Sequence, residues 1–300
     1  MTELFHNSWF RYGFNGIEQK LRNCAQDQFH IEFDPPRNID ILPFREALSY
    51  NNHMIKEKAG SNEILFMLSG GHDSTYAIKT MKEDGIDCTA LTFDYTNNRN
   101  QFDVEQATKL CKKYNIRQEI IKVDVYELFA SGLYKEYAKQ TRSNSLYDFV
   151  YMHGIKDLNG FFVTGQGDQD FEFENNKKLW VFGEQIFSLL NYATRHGHPG
   201  LVRYWSYTST LFYSVYQHQW KKMTSDDDYF KFKDDFFVGL GMDSKKKLHG
   251  LEWFYSDEFL ELRHSIYKYL LAEYPTSDDN KLMLRTKLVP GNYVQIETPP

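Results

Sequence analysis

Five consecutive apolar residues, Ile64-Leu65-Phe66-Met67-Leu68, run straight into Ser69-Gly70-Gly71-His72-Asp73-Ser74, and a helical pattern follows with no linker. A short apolar run bounded by turn residues is the pattern of a strand covered on both faces. Ala77, Ile78 and Met81 then share one helical face, and Gly85 supplies the stop. The junction is therefore read as a strand that feeds a helix through a tight glycine loop. Gly70 and Gly71 let backbone approach an anion, Ser69 and Ser74 add hydroxyls, and the first-turn N–H groups sit at the positive end of the helix dipole. Such a loop would hold a phosphate or pyrophosphate. It has neither the GxxxxGK[ST] nor the GxGxxG spacing. Asp73 beside a polyphosphate would repel it unless a divalent cation lay between them, so Asp73 is read as a Mg²⁺ ligand. The competing reading is a plain helix N-cap by Asp73 or Ser74.

The pattern repeats downstream. Cys88–Phe93 reads as a second strand, and Ala107, Leu110, Cys111 and Tyr114 make one face of a second helix. Glu119–Val123 is a third strand, 126–141 is helical, and Phe161-Phe162-Val163 is a fourth strand before Thr164-Gly165. Strands alternating with helices predict an α/β fold, a doubly wound parallel sheet built from right-handed crossovers. Residues 1–60, with a break at Pro35-Pro36 and a helix over 44–58, form a lead-in. Residues 61–170 form the sheet domain, and 171–300, where the alternation stops after 175, a helical and aromatic-rich C-terminal region.

SGGHDS resembles the SGGxDS signature of the PP-loop ATP pyrophosphatases, over roughly residues 60–170. The resemblance implies an adenine nucleotide alpha hydrolase-like fold and a chemistry. ATP is cleaved between its α- and β-phosphates, the substrate is adenylated, pyrophosphate leaves on the loop, and a nucleophile displaces AMP. It also implies that Phe93 and Asp94, at the end of the second strand, lie near adenine. Two branches compete. Ala90-Leu91-Thr92-Phe93-Asp94-Tyr95 is similar to the matching strand of 7-cyano-7-deazaguanine synthases, but those carry a cysteine-rich zinc site near the C-terminus, and this chain has no cysteine after Cys111. The asparagine synthetase-like branch is favoured by three features. The helix before the first strand resembles that group's entry helix, Val163-Thr164-Gly165-Gln166-Gly167-Asp168-Gln169-Asp170 its second loop, and Asp279–Arg285 its C-terminal lysine segment. That resemblance implies Gly165 at the α-phosphate, Asp168 or Asp170 sharing Mg²⁺ with Asp73, and Lys281 at the reacting centre.

The glutaminase domain of the glutamine-dependent members cannot fit in the 60 or so residues before the loop, and Thr2 stands where they have a cysteine. Free ammonia, ammonia from a partner protein, or an amine substrate is then the nucleophile, and a small-molecule carboxylate the acceptor. A net charge of −6 argues against a dedicated nucleic-acid binder. Three scattered cysteines, no long apolar run and a start without a secretory pattern point to a reducing cytoplasm and no membrane span. His196 and His198 beside Arg195 and Arg203 are either an anion site or a polar connection. The sequence reading is an AMP-forming, ATP- and Mg²⁺-dependent ligase or amide synthetase. A deazaguanine or tRNA-base-modifying enzyme and an idle nucleotide binder stand as its competitors.

Overall fold

A computed structural model of the chain describes residues 9–18, 20–21, 23–24, 26–33, 41–166, 169–174, 177–183, 187–223, 229–242, 256–274 and 293–297. In chain order the strands and helices are β1 (Phe10–Phe14), β2 (Ile17–Glu18), β3 (Phe29–Phe33), α1 (Phe44–Ala59), β4 (Ile64–Met67), α2 (His72–Glu83), β5 (Thr89–Tyr95), α3 (Gln101–Tyr114) and β6 (Arg117–Val123). There follow α4 (Val125–Ala130), α5 (Tyr134–Thr141), α6 (Leu146–Ile155), β7 (Phe161–Thr164), β8 (Asp170–Glu174), β9 (Lys177–Gly183) and α7 (Ser188–Arg195). The last are β10 (Gly200–Arg203), α8 (Ser209–Val215), α9 (Tyr229–Gly239), α10 (Asp257–Glu273) and β11 (Tyr293–Glu297).

The central sheet has five strands in the order β10-β7-β4-β5-β6, every pair parallel. Helices flank it, and every residue of β4 and β7 is buried, as their unbroken apolar runs require. This is a doubly wound parallel α/β sheet, as the alternation of strands and helices predicts. The strand order reverses between β4 and β7, and in such sheets ligands bind outside the carboxyl ends at that reversal.

Two differences from the sequence reading have plain causes. The helical stretch 126–141 is two helices, because Gly132 takes φ +80° between α4 and α5. The flanking regions also hold strands. β1 and β3 pair antiparallel within residues 1–60, β8, β9 and β11 form a second antiparallel sheet, and β10 is the fifth strand of the main sheet. Gly200-Leu201-Val202-Arg203 is too short to stand out from its helical surroundings. Phe10–Phe14 and Phe29–Phe33 mix aromatic and polar residues without a continuous apolar run.

Candidate functional site

The loop after β4 is built as its residues demand. Leu68 N–H still bonds Leu91 O at 2.8 Å, so pairing holds to the last residue before the turn. Gly70 then adopts φ +75°, and a Cβ there would meet Asp103 O at 2.7 Å. Gly71 is extended and starts α2, whose Thr75 N–H bonds Gly71 O at 3.0 Å. The hydroxyls of Ser69 and Ser74 lie 3.1 Å apart, Gly71 N–H donates to Ser69 Oγ at 3.4 Å, and Ser74 Oγ donates to Gly71 O at 3.3 Å. The first-turn N–H groups of α2 face the same small space.

The loop after β7 meets it. A Cβ on Gly165 would stand 2.6 Å from Ser74 Cβ and 2.7 Å from Ser74 Cα, so this position admits glycine only because two backbones touch. Gly165 and Ser69–Ser74 are therefore brought together, at the reversal of strand order.

Asp73 carries an ion pair: its Oδ2 lies 2.9 Å from Nζ of Lys233, on α9, with the two side chains 23% and 11% exposed. One residue away on each side, His72 Nδ1 approaches Asp234 Oδ1 at 3.4 Å, and the His72 ring sits 5.4 Å from that of Phe237. No sequence feature links the amphipathic segment Tyr229–Gly239 to the loop, so Lys233 escapes sequence reasoning. Among the described residues no group of three or more His, Cys, Asp or Glu side chains could hold a metal. Magnesium does not need such a cage, since it binds through one or two carboxylates together with substrate phosphates. Asp73 at a phosphate loop fits that requirement.

The other expected residues are placed less simply. Phe93 is buried, its ring 5.3 Å from that of Tyr151 and packed on Gly154, where a Cβ would meet Phe93 Cε1. The end of β5 is pinned by Asn100, whose Nδ2 donates to Phe93 O at 2.7 Å and whose Oδ1 accepts from Tyr95 N–H at 2.8 Å. Asp168 and Lys281 lie outside the described residues, and Asp170 is described only as the first backbone residue of β8. Gln169, which lies between Asp168 and Asp170, is buried and donates to Phe212 O while accepting from Trp180 Nε1 at 2.9 Å. It anchors the β8–β9 sheet instead. His198 is packed edge-on against Phe162 and held below its usual pKa by burial, and then by His196, while His196 lies 2.7 Å from Gln140 Oε1. The polar-connection reading of this pair describes them.

A second buried polar group lies at the carboxyl ends of β7 and β10, where Thr164 and Arg203 are neighbours in register. Asp148 of α6 is enclosed there, and burial pushes its carboxyl up to about 7 against the pull of Ser145, Arg203 and Ser188. The Ser188 hydroxyl in turn bonds that of Ser143.

Against known proteins, a family model described as Queuosine biosynthesis protein QueC matches residues 63–152, a stretch that begins at β4 and includes the whole phosphate loop. The chain is a member of the PP-loop ATP pyrophosphatase superfamily. Curated superfamily relatives include 7-cyano-7-deazaguanine synthases of Desulfotalea psychrophila, 34% identical over 70 residues, and Clostridium botulinum, 35% identical over 77. These matches cover 23% and 26% of this chain and 32% of each relative, so the chain matches about a third of their length. Among solved structures, the NH3-dependent NAD synthetase of Campylobacter jejuni aligns over 77% of this chain and 96% of its own, at 17% identity and a TM-score of 0.35. No described helix is long and apolar enough to cross a membrane.

Proposed function

We propose that this PP-loop protein is an ATP- and Mg²⁺-dependent enzyme resembling the 7-cyano-7-deazaguanine synthases. It adenylates the carboxylate of a small, deazaguanine-like acid and transfers the acyl group to ammonia with loss of AMP, then adenylates the resulting amide oxygen, which leaves as a second AMP while the nitrogen gives up its two protons and the nitrile forms; each activation releases one pyrophosphate. The observation that carries this reading is the close approach of Gly165 to Ser74, which brings the two glycine loops together at the head of α2. The family match over the nucleotide-binding stretch supports the substrate class. The oxidation levels agree, because a nitrile carbon is equivalent to a carboxylate and ammonia from which two waters have been removed. Each oxygen lost needs one activation, so a nitrile requires two ATP and an amide one.

Within the site, the N–H groups of the first turn of α2 and the hydroxyls of Ser69 and Ser74 would orient the departing pyrophosphate, and Asp73 would hold the metal. Magnesium, when bound, supplies neutralisation of the phosphate charge. Ammonia comes from solution or from a partner protein.

A second reading, an amide synthetase of asparagine synthetase-like type, is favoured by one observation. Val163-Thr164-Gly165-Gln166-Gly167-Asp168-Gln169-Asp170 is similar to that group's second loop, and its Gly165 lies against Ser74 of the first. Chromatography of nucleotide products with deazaguanine carboxylate and ammonia tests both. Two AMP per nitrile supports the first reading, one AMP per amide the second, and accumulation of ADP and orthophosphate overturns both.

A further inference from the structure

We propose that Lys233 is the residue that binds the nucleotide's phosphates, supplied from α9 in place of the lysine the loop itself lacks. The assignment rests on the Mg²⁺–ATP reading of the loop. Ser69–Ser74 offers glycines, hydroxyls and helix N–H groups but no cation, and the chain as a whole carries −6. A triphosphate approaching it needs positive charge beyond a single metal ion. Among the described residues, Lys233 is a cation that the fold delivers there. Its Nζ stands 2.9 Å from Asp73 Oδ2 and its side chain is 11% exposed.

A lysine this enclosed is held by its counter-charge. In the structure that charge is Asp73, the same carboxylate that would ligate Mg²⁺. Asp73 would hold the metal of a Mg²⁺-nucleotide, and the Lys233 ammonium, released from that carboxylate, would bind phosphate oxygens in its place. Both charges change partner and neither is left buried alone. The Asp73–Lys233 pair is thus the nucleotide-free arrangement of two ligand-binding groups.

The helix that carries Lys233 is fixed by other means. Phe237 is buried, 5.8 Å from the ring of Tyr76 and 6.1 Å from that of Trp205, and Phe236 meets Phe44 edge-on at 5.2 Å. Removing the Lys233 charge therefore leaves α9 in place.

Lys233→Met keeps the stem and removes the charge. In the full-length protein two titrations should move in opposite directions. Mn²⁺ alone, followed by electron paramagnetic resonance, should bind the variant more tightly, by about threefold or more, because Asp73 has lost its competing ammonium. Mg²⁺–ATP should bind more weakly, by about tenfold or more, because a charge-assisted contact is gone. Lys233→Arg should stay close to wild type in the second titration, and thermal melts should confirm that both variants are folded. If Lys233→Met binds Mg²⁺–ATP like wild type, or if both titrations weaken together, the assignment is overturned while the nucleotide reading stands. If the wild-type protein binds no Mg²⁺–ATP, the nucleotide reading falls and takes this assignment with it.

Discussion

A single methyl group at Gly165 would stand against both Cβ and Cα of Ser74, with Ser74 N at 3.0 Å. Gly165→Ala should therefore move the phosphate loop, since the obstacle is backbone and not a flexible side-chain end. The expected cost in stability is about 1–3 kcal/mol, together with a loss of nucleotide binding that no added Mg²⁺ restores. Unchanged ATP affinity in a calorimetric titration would show that the two loops do not share a ligand. Asp148 gives a pH signature. Unfolded it ionises near 3.8, and folded it keeps its proton to about 7. Across that window the folded state binds more protons, so stability falls as pH rises and levels off above 7. Asp148→Asn removes this penalty and should raise stability at pH 8 by up to about 4 kcal/mol, with little effect at pH 4. Urea melts at the two pH values check it, and a variant no more stable than wild type at pH 8 would refute the assignment. At this scale the loop residues were legible in the sequence because glycine, serine and aspartate in that order have few other uses between strand and helix. Lys233 and Asp148 were not, because a lysine in an amphipathic helix and an aspartate in a helix's first turn have many.

Among the elements, α1 is tied to the rest by two adjacent asparagines, both fully buried. Asn51 Nδ2 donates to Tyr204 O at 3.2 Å and its Oδ1 accepts from Thr208 Oγ1 at 2.8 Å. Asn52 Nδ2 donates to Asp84 Oδ2 at 2.7 Å, while Asn52 Oδ1 accepts from the Tyr204 hydroxyl, also at 2.7 Å. That hydroxyl is 3.0 Å from Thr80 Oγ1. One buried phenol thus joins α1, α2 and the turn after β10. Tyr204→Phe leaves Asn52 short of a donor and should cost about 1–3 kcal/mol, read from denaturant midpoints; a cost within error would mean the hydroxyl is dispensable to the network. The pair was a missed signal, since asparagine is a poor residue for a helix interior and two in succession call for a packing reason. The four strands foreseen in the main sheet were legible from their apolar runs. β10 was not, for its four residues become a strand only through pairing with β7.

For the molecule as a whole, its abundant aromatic residues serve chiefly as core. Phe44 stacks near Trp205 and Tyr76, and Trp180 lies 5.1 Å from Phe212, which is 4.9 Å from Trp9. The three cysteines are far less suited to a shared task. Burial pushes the Cys88 thiol up to about 12 and the Cys111 thiol up to about 11, while Cys24 is exposed. Thiols held in the protonated form react slowly. Native protein should be alkylated first at Cys24, and elemental analysis should find no stoichiometric zinc. Chelator-resistant zinc would show that the cysteines share a metal site after all.

The placing of β4 beside β7 has a consequence for how the protein matures. All the motif chemistry is encoded by residue 74, yet the space it faces is completed only when Gly165 arrives with a strand that follows five intervening helices. Pairings so distant along the chain form late, after local ones. Competence to bind nucleotide should thus emerge as the last act of folding, and bound ATP should act as a clasp on the whole sheet rather than on one loop. Hydrogen exchange would register this as slowed amides at Val163 and Val202, far from any phosphate in sequence. Protection confined to Ser69–Ser74 would show instead that the loop matures alone.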